Sequence, residues 1–128
     1  MDYVLEEHRN AITLVKNNKK YAEDFKSLTD ALKSITDEDL ISGFNSDLAK
    51  SKSLKSLSTT INRLIKERLI EKGWNRESKI FKPADYGNSA WRLDFTKGKI
   101  CVEVSFNHGE AAAHNIMKTI LASAYNHV

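Results

Sequence analysis

The chain has 128 residues, 41% of them hydrophobic and 29% charged, which is room for one small soluble domain. No apolar run is long enough to span a bilayer, and Met1-Asp2-Tyr3 shows no basic-then-apolar leader, so a cytoplasmic protein is the expectation. A single cysteine, Cys101, excludes an internal disulfide, and a formal net charge of +3 permits a polyanionic partner without requiring one.

The first half is helical in pattern. Residues 2 to about 16 carry a loose stripe of Val4, Leu5, Ile12 and Val15, and residues 20 to 34 carry Tyr21, Phe25, Leu28 and Leu32 at helical spacing. Thr36 followed by Asp37-Glu38-Asp39 is a helix start, because a threonine cap and acids in the first turn satisfy the free N–H groups there. The clearest helix runs from about Leu54 to Lys72, with Leu57, Ile61, Leu64, Ile65 and Leu69 on one stripe and Gly73 as its stop. An acidic stretch (Asp30 to Asp47) precedes a basic one (Lys50 to Arg68), which is a solvated helix surface or a flank for phosphates.

The second half turns to strands and then to a helix. After Ile80-Phe81 and a loop, Trp91, Leu93 and Phe95 alternate with Arg92 and Asp94. Ile100, Val102, Val104 and Phe106 then alternate with Cys101, Glu103 and Ser105. From Glu110 a helix runs close to the end, with Ala112, Ala113, Ile116, Ile120, Leu121 and Ala124 as the face expected to lie on the sheet. The fold class is therefore α/β in the broad α+β sense: a helical N-terminal half (1–50), then a small hairpin core and packing helix (51–128), in one domain.

Taking Lys97-Gly98 as a two-residue hairpin loop pairs Asp94 with Cys101 and Arg92 with Glu103. Asp94 and Glu103 then share a face as diagonal neighbours, roughly 7–8 Å apart at the backbone. Two carboxylates converging from there can share a hard cation such as Mg²⁺. The plain alternative is a salt bridge from Arg92 to Glu103 and a solvated Asp94. Glu103 lies in an otherwise apolar strand, and a charge there needs compensation. His108, His114 and His127 show no zinc spacing, and Cys101 has no base paired with it. Glu67, Glu71 and Glu110 are helix acids whose default is a solvated surface.

Asp94, Glu103 and the segment Val102-Glu103-Val104-Ser105-Phe106 resemble the PD-(D/E)XK nuclease superfamily, and within it the BglII/BstYI restriction endonucleases. The nine-residue separation of the acids is similar to BglII's, and the segment is similar to that group's Val-Glu-Val-Gln-Phe. Asn62 through Trp74 looks like the helix before the catalytic strands, and Asn115 looks like the asparagine on the helix after them. The likeness covers roughly residues 57 to 120. It implies a Mg²⁺-dependent, sequence-specific endonuclease of double-stranded DNA, the type II enzyme of a restriction-modification system, working as a homodimer. Asp94 and Glu103 would bind the metal, Ser105 would take the third motif position, and His114, Asn115 and Lys118 would face DNA. Two departures stand out. Relatives carry Lys, Glu or Gln where this chain has Ser105, and Lys118 is a candidate for a migrated lysine. The sheet has at most three strands, which suggests an N-terminal fragment, a truncated product or an assembly with another chain. The alternatives are a degenerate module on the same fold that binds DNA or protein without cutting, and a helical interaction protein built on residues 2 to 50.

Overall fold

A computed structural model describes residues 1–51, 53–81, 91–106 and 109–125, without the side chains of 110 and 111. The expected loop after Phe81, together with His108 and His127, lies outside the described residues. The chain divides into two compact units, Met1–Lys72 and Gly73–Val128.

The first unit is helical: α1 (Ala11–Asn17), α2 (Lys19–Lys33), α3 (Asp37–Lys50) and α4 (Ser58–Glu71). The first helix is shorter than its stripe suggests. Arg9 and Asn10 take positive φ (53° and 57°), a conformation incompatible with a right-handed helix, and Val4 and Leu5 stay exposed. At α3 the capping box is complete. The Thr36 hydroxyl accepts from the Asp39 N–H, and the Asp39 carboxylate accepts from the Thr36 N–H. Leu64, Ile65 and Leu69 of α4 are buried with Ala31 and Ile35, as the stripe requires, whereas Leu57 is exposed at the helix start.

One polar contact ties α3 to α4. Asp47 is buried and accepts from the Thr60 hydroxyl at 2.9 Å and from Arg63 at 3.0 Å. Gly43 makes room for it: a Cβ there would sit 3.0 Å from both the Arg63 guanidinium and the Thr60 methyl. Arg63 beside it, with Thr60, holds the Asp47 carboxyl below its usual range; Asp39 is held down by the Thr36 N–H and Asp30 by Lys26. These carboxylates are depressed on folding, so their stabilisation is complete above the ordinary carboxyl value of 3.8 and disappears as pH falls through the lower folded value. Replacing Asp47 with Asn should therefore flatten the acid limb of the stability profile, read as thermal midpoints by circular dichroism from neutral to acid pH. An acid limb identical to the parent's would show that this pair contributes nothing.

The second unit is a three-stranded antiparallel sheet, β1 (Asn75–Lys79), β2 (Arg92–Lys97) and β3 (Ile100–Val102), in the order β1-β2-β3, followed by α5 (Gly109–Ala124). The mixed α+β class expected from the sequence is the one observed. The first strand is Asn-Arg-Glu-Ser-Lys, just before the apolar pair Ile80-Phe81, in a stretch where the sequence pattern marks no strand. It is an edge strand held by backbone pairing to β2, with most of its side chains in water, so hydropathy does not mark it. Ile80, Leu93 and Ala122 form the buried cluster, with Phe81, Trp91, Cys101 and Leu121 packed against it.

Helix α5 is turned relative to expectation. Lys118 and Ala122, one turn apart, are its buried residues, while Ala112, Ala113, Ile116, Ile120 and Ala124 face solvent. The partner that Lys118 finds on β3's continuation sets this rotation.

Candidate active site

The hairpin closes one residue later than the sequence suggests. Lys97 pairs with Ile100, Thr96 with Cys101 and Phe95 with Val102, so the turn is Gly98-Lys99. Gly98 supplies the positive φ (54°) that a tight turn needs at its first position. The parity of the strands survives this shift, but the partners change. Continuing the register places Asp94 directly opposite Glu103 rather than diagonal to it, on the same side of the ribbon.

The expected strand to Phe106 ends at Val102. The reason is chemical. Beyond that residue the two acids take over the ladder's hydrogen bonds. The Asp94 N–H donates to Glu103 Oε1 at 3.2 Å, and the Val104 N–H donates to Asp94 Oδ2 at 3.0 Å. Each carboxylate thus anchors the other's strand, and the two are brought together at the neck of the hairpin.

Lys118 completes the arrangement. Its ammonium donates to Glu103 Oε2, and both side chains are only 10% exposed. This pair resolves how a charge is tolerated inside Ile-Cys-Val-Glu-Val. Arg92, the cross-strand partner expected for Glu103, lies instead beside β1, where its guanidinium meets Glu77 at 3.4 Å. Glu77 itself was not marked by the sequence. Its neighbours' pairing places it on β1 opposite Asp94 of β2, it takes φ 52°, and its carboxylate also meets Arg76 at 2.8 Å. The signal for it lay in a polar strand, where alternation carries no apolar contrast.

The remaining candidates sit as follows. Ser105 is exposed on the segment after β3. His114 packs its ring on Trp91, 4.9 Å between centroids, and Asn115 is half-buried one residue on. Burial pushes the Cys101 thiol up, which keeps it protonated, and Cys101 packs against the cluster of Ile80, Leu93 and Ala122. In the helical unit, Glu67 pairs with Arg63 and Glu71 with Arg68.

The donor set suits a hard divalent ion. Each carboxylate oxygen has two lone pairs, and the contacts above leave Asp94 Oδ1 with none committed by a described hydrogen bond. Among the described residues no group of three His, Cys, Asp or Glu converges. An ion held by Asp94 and Glu103 would therefore keep most of its shell for water and phosphate, as Mg²⁺ does when bound by one or two carboxylates.

The second unit thus joins a small antiparallel sheet, a packing helix and two acids held together at the neck of a hairpin. The family model described as Restriction endonuclease BglII/BglIII matches residues 3–128, and the chain belongs to that family. No curated protein and no solved structure matches the chain. Membership makes this a DNA-binding nuclease of restriction type. Among the described residues no helix is long and apolar enough to cross a membrane.

Proposed function

We propose that the chain is a Mg²⁺-dependent, sequence-specific endonuclease of double-stranded DNA, a type II restriction enzyme acting in the cytoplasm, with Asp94 and Glu103 as its metal ligands. The observation that carries this reading is the reciprocal hydrogen bonding that holds the two carboxylates opposite one another. A divalent ion bound there supplies Lewis acidity toward a phosphate and lowers the pKa of a bound water. The chain's own groups do the rest. Asp94 and Glu103 would hold that ion at the hairpin neck, so that the phosphodiester is placed by its contact with the cation and not by the carboxylates themselves. Ser105, in the third motif position, offers a hydroxyl to the attacking water but no charge. Lys118, ion-paired to Glu103, is a positioning residue: it holds this ligand in place and is the candidate for the lysine that the third motif position lacks. His114 and Asn115, earlier on α5, face the DNA.

The test is metal dependence. Purified protein should nick or cut duplex DNA at a defined sequence with Mg²⁺, and chelation should stop it. A second reading, a non-cleaving DNA-binding module, is favoured by Ser105 alone. It wins if duplex DNA binds while neither Mg²⁺ nor Mn²⁺ permits cleavage.

The active form in this reading is a homodimer. Its support is the apolar face of α5, where Ile116, Met117 and Ile120 are 52–62% exposed in one stripe, more than a helix of a monomer leaves in water without a partner. Ile116→Glu with Ile120→Glu should shift a sedimenting dimer to monomer while the helical signal persists. A monomeric parent would remove this part of the proposal.

A further inference from the structure

A cavity of about 350 Å³ opens in the helical unit, lined by residues of that unit alone. Its lining includes Lys26, Thr29 and Lys33 from one face of α2, Phe25 beside them, Lys16 from α1 and Tyr3 from the N-terminal segment. The helical spacing explains the convergence: residues 22, 26, 29 and 33 follow the same stripe that on a core-facing helix would be apolar. No acid lines this cavity. Lys26 is hydrogen-bonded to Asp30 at 2.6 Å, while no ion pair forms at Lys16 or Lys33 among the described residues. A second hollow of about 300 Å³ continues it past Tyr3 and Lys33 and includes Asp2.

We propose that this cavity is a nucleotide-binding site on the helical unit, with Lys16 and Lys33 meeting phosphate and Phe25 and Tyr3 receiving the base. The chemistry selects the ligand. Lysines in the lining call for an anion, and the aromatic side chains of Phe25 and Tyr3 in the same lining call for a flat, weakly polar face. A nucleoside phosphate combines both, and base–aromatic stacking is indifferent to sequence. The volume lies at the lower end of small-ligand sites, enough for one nucleotide unit. That unit comes either from a DNA strand or from a free nucleotide. The inference goes beyond the cleavage chemistry, since it uses neither carboxylate.

The test measures binding to the full chain in chelator, so that cleavage plays no part. The probes are a fluorescent single-stranded decanucleotide, across a salt series, and dTMP. Lys16→Gln with Lys33→Gln should lower the slope of log affinity against log salt by about 1.4, since each phosphate contact on a single strand contributes about 0.7. Phe25→Leu should weaken binding about tenfold, within the range for losing one stacked base, and leave the slope unchanged. A control, Lys19→Gln with Lys20→Gln, removes the same charge from exposed positions that do not line the cavity and should change affinity less. If dTMP displaces the strand, the site takes a free nucleotide; if only the strand binds, it takes a unit of DNA. Binding that the cavity variants leave at parental strength, or that the control weakens equally, overturns the site. The nuclease reading fails separately, by strand binding without metal-dependent cleavage.

Discussion

Asp94→Asn should abolish Mg²⁺-dependent cleavage of duplex DNA while leaving the fold and metal-free DNA binding intact. Asparagine is chosen for what it keeps. Its carbonyl oxygen still accepts from the Val104 N–H, the bond that joins β2's end to the segment after β3. The backbone N–H of residue 94 still donates to Glu103. What is lost is one negative charge facing the cation. Metal activation accounts for several kcal/mol of a phosphoryl-transfer barrier, so cleavage should drop by about a thousandfold or more. Thermal stability in chelator should move by less than about 1 kcal/mol, because the replacement preserves a hydrogen bond at a half-buried site. The parent should also be stabilised by added Mg²⁺, and the variant should not, because an ion that binds the folded state alone raises its melting point. Parent-like cleavage by this variant would remove Asp94 from the metal site and the proposed mechanism with it.

The sequence made the pairing of these acids legible but not its geometry. Strand parity is robust: shifting both arms of a hairpin by one residue keeps Asp94 and Glu103 on one side, which is why the pair could be found with the wrong turn. The turn itself was ambiguous, since Lys97-Gly98 and Gly98-Lys99 each place the glycine in a position that accepts positive φ. Helices with sharp caps were equally legible. Thr36 and Gly73 carry their signals in single residues, and both occupy the places expected of them. Illegible were the features that depend on partners distant in the chain. The polar strand Asn75–Lys79 exists because β2 offers it a backbone edge. Helix α5 is rotated because Lys118 finds Glu103, and a stripe of Ile and Ala read as a buried face lies in solvent. Hydropathy ranks an isoleucine above a lysine for burial; it carries no information about a carboxylate waiting on a neighbouring strand.

That lysine gives the sharpest thermodynamic expectation. Lys118→Met should destabilise the second unit by ~3–5 kcal/mol, the cost of stranding a carboxylate whose ion-pair partner has been removed. Methionine fills similar volume, so the loss is one of charge and hydrogen bonding and not of packing. Glu103→Gln with Lys118→Met should recover most of it, since neither remaining side chain is then charged, and a hydrophobic or neutral replacement of a buried pair is often close to neutral. The double-mutant cycle therefore separates a coupled pair from two independent residues. Activity divides differently. The double variant should fold and remain inactive, because Glu103 is lost as a ligand, whereas Lys118→Arg should keep both charge and partial cleavage. If Lys118→Met proves as stable as the parent, Glu103 is compensated by something other than this ammonium. The rotation of α5 would then need another cause, and Lys118 would lose its candidacy for the lysine that the third motif position lacks.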